Sequence, residues 1–353
     1  MAAQKRILVC PLNWGLGHAT RCMPVIEELL KQGAEVLLAS DGGSLALLKA
    51  EYPALDAFEL PGYNVRYGKG GMVLSIARQL PSIGKAIGHE NKVVMSMVKD
   101  HKITGIISDN RYGCYVKGVP SIFLSHQLNV RVPWPFVEGL VRKIQYMMIN
   151  MFDECWVPDF AGAPNLSGEL GHDVQLKDVK YIGPLSRMQK LDRPITYDVV
   201  AVLSGPEPQR TFFEEKLIDQ LKHANLKSLL VSGKTKAPIG ITKEGNLEVI
   251  TYLTAKDLNE KMSAAKLIVA RSGYSTIMDL VKIGKPALLI PTPGQTEQEY
   301  LAYRLAQNGW FSTHPQSDLN IAQALNDLKS EEGKEMTFDH TLLRGVISDW
   351  LKV

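Results

Sequence analysis

Cysteine is scarce: Cys10, Cys22, Cys114 and Cys155 are the four among 353 residues. So few, so scattered, exclude a disulfide framework and a zinc site, and they fit a reducing cytosol. Nowhere do about 18 apolar residues run together, as a membrane-spanning helix requires. The N-terminal charges are followed at once by a strand-like run instead of the apolar segment of a signal peptide, so none is expected. The sequence lacks an Asp-x-Asp pair of the kind that holds a divalent ion, a Walker loop and a Gly-x-Ser-x-Gly elbow. The first glycine loop lacks the third glycine of a dinucleotide fingerprint, which speaks against NAD. Charge of one sign is lacking too: 40 Lys+Arg against 37 Asp+Glu leave +3. That is not the basic excess of a nucleic-acid binder.

What is present is the composition of a folded protein, 45% hydrophobic and 22% charged. The length exceeds one core and suits two domains. The near-balance hides an asymmetry: residues 60–150 hold 12 basic and 4 acidic side chains, a local excess of +8. Such a stretch is either a solvated face or a surface that meets something anionic.

Apolar runs of strand length alternate with helical patterns, and glycine or polar loops follow the strands. In the first half the strands are Ile7 to Cys10, Val36 to Ala39, Gly105 to Ile107, Ser121 to Leu124 and Glu154 to Val157. In the second they are Val199 to Leu203, Ser228 to Val231, Glu248 to Ile250, Leu267 to Ala270 and Ala287 to Ile290. This alternation predicts α/β architecture: two doubly wound parallel sheets. The expected division is an N-terminal domain over 1–183, a second over 184–335, with a hinge at the Gly183-Pro184 pair, and a terminal helix over 336–353 that packs back on the first. Ligands of such sheets bind at the carboxyl ends of strands, so the chemistry is expected in a cleft lined by those loops.

The sharpest constellation runs Ala270-Arg271-Ser272-Gly273-Tyr274-Ser275-Thr276, continues to Asp279, and resumes at Pro291-Thr292-Pro293-Gly294 through Gln298-Glu299. A strand followed by small hydroxyl residues opens a helix whose first amides are unpaired and whose dipole favours an anion such as phosphate. Asp279, one turn on, can offer a carboxylate to a ribose diol. The plain alternative is an ordinary capped helix. His18 opens a helix after Gly15-Leu16-Gly17, where the dipole favours a neutral imidazole able to take a proton. Asp109 ends another strand of the same half and is either an orienting partner for His18 or a helix cap.

The segment from Ala270 to Ala302 resembles the donor signature of glycosyltransferase families 28 and 1, which include the peptidoglycan N-acetylglucosaminyltransferase (MurG) group and UDP-glycosyltransferases. The Gly15-Leu16-Gly17-His18 loop is similar to theirs, and the order of the halves matches along nearly the whole chain. The resemblance implies a GT-B fold of two Rossmann-like domains, acceptor on the first and nucleotide-sugar donor on the second. It implies that Gly273, Ser275 and Thr276 hold the diphosphate, with Ser272 beside them, and that Asp279 holds the ribose, with Asp where the family has Glu. Gln298 and Glu299 fall at the sugar hydroxyls, the Glu departing from the family's pattern. Tyr252 and Leu253 fall at the nucleobase, Ser204 and Gly205 at the first donor loop, and Arg210 and Arg271 stand as nearby cations. On the acceptor side stand Gly15, Gly17, Asn110, Arg111, His126 and Gln127.

The expectation is a metal-independent inverting glycosyltransferase without a cofactor, with His18 as base and Asp109 as its partner. A UDP-sugar is the expected donor and a hydroxyl of a glycan, glycolipid or small molecule the acceptor. The Glu-x7-Glu pattern of many retaining relatives is missing around Asp279, which favours inversion. The other readings are a nucleotide-sugar hydrolase on the same fold and a binding protein without chemistry. The segment 131–151, rich in Met and carrying Arg142 and Lys143, is read first as a core helix. With Arg66, Lys69, Arg78 and Lys85 it could otherwise touch an anionic membrane. A cytoplasmic protein, peripheral at the inner membrane face in that second case, is the expected setting; no nucleic acid is expected.

Overall fold

The computed structural model describes residues 4–63, 72–130, 135–234, 237–327 and 341–352. Arg66, Lys69 and residues 131–134 lie outside the described residues. The chain forms two compact units, Met1–Leu185 with Phe338–Val353, and Ser186–Thr337.

The first unit is built on seven strands: β1 (Arg6–Pro11), β2 (Glu35–Ser40), β3 (Ala57–Glu59), β4 (Gly105–Asp109), β5 (Ser121–Leu124), β6 (Glu154–Val157) and β7 (Val179–Tyr181). They form one parallel sheet in the order β3-β2-β1-β4-β5-β6-β7. Helices α1 (Gly17–Lys31), α2 (Gly42–Glu51), α3 (Met72–Asp100) and α4 (Pro135–Ile149) connect them. Continuous apolar strands suit a sheet covered on both faces: Ile7, Leu8, Val9 and Cys10 of β1 are 0–1% exposed. Helix α1 buries Ala19, Cys22, Met23, Val25, Ile26 and Leu29, the spacing of one helical face.

The second unit repeats the plan with β8 (Tyr197–Val202), β9 (Ser228–Val231), β10 (Ile241–Glu244), β11 (Leu247–Ile250), β12 (Ala265–Ala270), β13 (Ala287–Leu289) and β14 (Ser312–Thr313). Their order is β10-β11-β9-β8-β12-β13-β14, with only β10 antiparallel to its neighbour. Helices α5 (Gln209–His223), α6 (Ala255–Ser263), α7 (Tyr274–Ile283), α8 (Thr296–Gln307) and α9 (Ile321–Asp327) accompany it. Phe213 and Leu217 of α5 pack on Val199, Ala201, Leu230 and Val269 of the sheet. Helix α7 stops at Gly284, whose φ of +70° closes the last turn in the left-handed region that glycine occupies freely.

The terminal helix α10 (Leu342–Trp350) belongs to the first unit. Trp350 is 5% exposed and meets Trp156 edge to face, ring centres 5.8 Å apart. A Cβ on Gly105 would stand 2.6 Å from the Trp350 ring, so this strand start admits only glycine.

In both sheets the strand order reverses beside the first strand of the unit: between β1 and β4, and between β8 and β12. At such a switch point the flanking loops diverge and leave room for a ligand. Gly15 to His18 follow β1 and Asp109 ends β4. Ser204-Gly205 follow β8, and Gly273 follows β12.

Gly42 and Gly43, just after β2, open α2. Helix α4 is not a plain core helix: it buries Gln145 and Ile149 but leaves Leu140, Ile144, Met147 and neighbouring Met151 46–63% exposed.

Candidate active site

The first unit gathers four polar side chains at its switch point. Helix α1 begins at Gly17, so His18 and Arg21 lie one turn apart on the same face. Parallel pairing sets Pro11 opposite Asp109, which brings the end of β4 under that face. His18 Nδ1 is 2.9 Å from Asp109 Oδ1 and 2.9 Å from Arg21 Nη2. Arg21 grips Asp109 by two nitrogens, Nε donating to Oδ2 at 2.6 Å and Nη2 to Oδ1, and its Nη1 donates to His126 Nδ1 at 3.0 Å. The Asp109 carboxylate is completely buried and Arg21 nearly so, while the His18 side chain keeps 16% of its surface. Burial alone would raise the Asp109 carboxyl; the Arg21 guanidinium, with His18, holds it well below the usual carboxylate range.

This geometry admits two tautomers of the imidazole. An ionised carboxylate only accepts and a guanidinium only donates. A proton on Nδ1 serves Asp109 and leaves Nε2 free to take another; a proton on Nε2 serves Arg21 instead. The first arrangement is the one that makes His18 a base.

The sequence reading singled out His18, Asp109 and His126 but not Arg21. An arginine one turn into a helix carries no sequence signal of which way it faces. Of the other acceptor-side residues, Gly15 has a φ of +82°, and Gly17 is the first residue of α1. Half-buried Asn110 takes a φ of +56° directly after Asp109. Half-buried Gln127 accepts from Gln145 Nε2 through its carbonyl at 2.8 Å.

Arg111 is corrected: it is fully buried and lines nothing. Its Nε donates to Glu90 Oε1 at 2.5 Å, Nη1 to Asp41 Oδ1 at 2.6 Å, and Nη2 to the Pro61 carbonyl at 2.6 Å. A buried cation needs such partners, and this one serves the loops' architecture. Asp41 in turn accepts from Asn13 Nδ2 at 3.0 Å, which anchors the start of the glycine loop.

In the second unit, Gly273 stands at the N-cap of α7 and makes no side-chain cap bond, while Ser275 and Thr276 in the first turn are half-buried. The positive end of the α7 dipole lies at this start, which favours an anion there. Asp279, one turn further, accepts from Ser186 Oγ at 2.5 Å, and burial pushes its carboxyl up to about 6 despite that bond and the charge of Arg187. Ser204 and Gly205 are exposed after β8, and Tyr252 and Leu253 are half-buried after β11.

Two donor residues are corrected. Arg271 is 1% exposed, donates to the carbonyls of Ile290, Pro291 and Gln209 and to Gln316 Oε1, and lies over the Phe213 ring at 4.1 Å. Ser272 is buried and donates to the Gln298 carbonyl at 2.8 Å. Both hold the α7 and α8 loops together and neither faces solvent. Arg210 is committed to the Ser232 carbonyl, to Glu207 and, at 3.6 Å, to Glu214. Gln298 and Glu299 brace the 291–296 loop: Gln298 Oε1 accepts from Thr292 N and Glu299 Oε1 from Gly294 N, both at 2.9 Å. Of the two, Glu299 is the exposed one.

Residues 208–341 match the family described as glycosyltransferase family 28 C-terminal domain. The chain is 25% identical over 356 residues to an uncharacterized glycosyltransferase of Methanosarcina acetivorans, covering 91% of this chain and 90% of that one. Over 75 residues, 21% of this chain and 20% of the other, it is 45% identical to a UDP-N-acetylglucosamine--N-acetylmuramyl-(pentapeptide) pyrophosphoryl-undecaprenol N-acetylglucosamine transferase of Methylorubrum populi. The solved glycotransferase of kitacinnamycin superposes with a TM-score of 0.64 at 16% identity, across 99% of this chain and 94% of that one, and so shares the fold. Fold and family match define the class: the chain is a glycosyltransferase of GT-B fold. Most of its second unit matches the family 28 C-terminal domain.

Proposed function

We propose that this glycosyltransferase moves a sugar from a nucleoside-diphosphate donor, UDP-linked, to a hydroxyl of an acceptor, with inversion and without a metal ion or other cofactor. The first unit takes the acceptor and the second takes the donor. The observation that carries the reading is the His18–Asp109 pair at the first sheet's switch point. With Nδ1–H directed at Asp109, Nε2 takes the acceptor's proton as its oxygen attacks the anomeric carbon. The bond to the diphosphate breaks in the same step, and the positive end of the α7 dipole stabilises the departing charge. Similarity to a transferase that uses UDP-N-acetylglucosamine supports a UDP-linked donor.

The exposed stripe of α4, with exposed Arg142 and Lys143 beside it, supports peripheral contact with an anionic membrane. On this reading the enzyme works in the cytoplasm, against the inner leaflet, on a lipid-linked or glycan acceptor.

The test joins binding to turnover. UDP, GDP and TDP sugars are screened by thermal shift, and one UDP-sugar is expected to raise the melting temperature. His18→Ala is expected to keep that shift while turnover drops by about 10²–10⁴. A panel without any shift, or a His18→Ala variant with unchanged turnover, sinks the reading.

A further inference from the structure

Arg21 is the least expected member of the site: a nearly buried cation that no sequence motif announces, set against a completely buried carboxylate. Burying such a pair is unfavourable unless its geometry is well satisfied. The grip on Asp109 leaves Nη1 for His126 and brings Nη2 to 2.9 Å from His18.

We propose that Arg21 is a positioning residue for the catalytic base: it locks Asp109 by a two-point grip and cancels its charge, so that the carboxylate orients His18 without keeping a proton on it. The inference rests on the reading of His18 as the base. In a bare His–Asp pair, a buried carboxylate stabilises the imidazolium, and an imidazole already protonated cannot take the acceptor's proton. Here one negative and one positive group stand 2.9 Å from Nδ1, so their charges oppose each other at the ring while the hydrogen bond to Asp109 still sets its direction. The ionisable groups around the imidazole come from three elements: Arg21 and Cys22 from α1, Asp109 from β4, and His126 from the loop after β5. Cys22 Sγ is 3.5 Å from Asp109 Oδ2. His126 accepts from Arg21 on Nδ1, so when neutral it carries its proton on Nε2 and adds no charge.

The test follows the imidazole itself. The full chain is labelled with 15N-histidine, and the His18 resonances, identified by their loss in His18→Gln, are titrated in the wild type and in Arg21→Gln, Asp109→Asn and the double variant. Arg21→Gln is expected to raise the midpoint by about 1–2 pH units and Asp109→Asn to lower it by a similar amount. The double variant is expected to return within about half a unit, since a neutral pair leaves no uncompensated charge. Release of UDP from UDP-N-acetylglucosamine follows in parallel, the acid limb of its pH profile moving with the midpoint. A purely structural role lowers the melting temperature and leaves the midpoint in place, which overturns the inference, as does a double variant that fails to return. Where Arg21→Gln does not fold, Asp109→Asn against the double variant decides by the same criterion. An inactive His18→Gln with unmoved midpoints removes the inference alone; an active His18→Gln removes the reading beneath it.

Discussion

Asp279 shows how much of a residue's chemistry comes from its surroundings. Its carboxyl, ordinarily near 3.8, is pushed up to about 6 by burial. An acid whose folded value lies above its unfolded one favours the fold when protonated. Its contribution to stability is therefore complete below the ordinary value near 3.8 and lost as pH rises through about 6. On the reading that Asp279 holds the ribose, donor binding runs the opposite way, because a carboxylate offers a ribose diol more acceptor positions than a carboxylic acid does. Affinity for the UDP-sugar is expected to rise with pH through about 6, and Asp279→Asn to weaken binding at pH 7 and flatten that dependence. Calorimetric titration at pH 5 and pH 7.5 reads both; a wild-type affinity that is the same at the two values removes Asp279 from the ribose. Asp279 and His18 were legible as candidates because helix starts and turn spacings are local features. Arg111 and Arg271 were misread for the matching reason: a cation next to a motif looks the same in sequence whether it faces a ligand or, as here, an enclosed set of carboxylates and carbonyls.

At the scale of elements, parallel strands declare themselves by continuous apolar runs, and those of β1, β2, β5 and β9 were legible within a residue or two. Short edge strands such as β3, β7 and β14 carry no such run. They exist because a neighbour's unpaired amides and carbonyls accept them, a tertiary fact. The terminal helix was expected as a helix, but the residue it meets was not legible: the Trp350–Trp156 contact couples residues 194 positions apart. Trp350→Ala empties that site and is expected to cost about 3–5 kcal/mol. Chemical denaturation followed by fluorescence measures it, and a loss below about 1 kcal/mol means that the helix is not part of the first unit's core.

For the whole molecule, the net charge of +3 says less than its distribution. Among the described residues of 60–150 the fold takes Arg111, Glu90 and Asp109 inside, one positive against two negative. The exposed stripe of α4 belongs to the same stretch of chain. Binding to phosphatidylglycerol vesicles is therefore expected to exceed binding to phosphatidylcholine vesicles and to weaken with salt. A Leu140→Ser/Met147→Ser variant, at about 1–2 kcal/mol for each side chain withdrawn from the interface, is expected to bind at least about tenfold more weakly with its melting temperature unchanged. Equal binding to both vesicle types removes the membrane contact from the proposed function.

Apolar periodicity, glycine loops and the family-like segment after Ala270 are written in neighbouring residues, which is why the α/β class, two mainly parallel sheets and the glycosyltransferase resemblance could be read from the sequence. Which polar side chains face one another depends on strand order and on which face of a helix meets the sheet, and neither is local. Pairing β1 with β4 brings Asp109, 91 residues away in the chain, to His18. The face that α1 turns to the sheet carries Arg21 inward to meet them both.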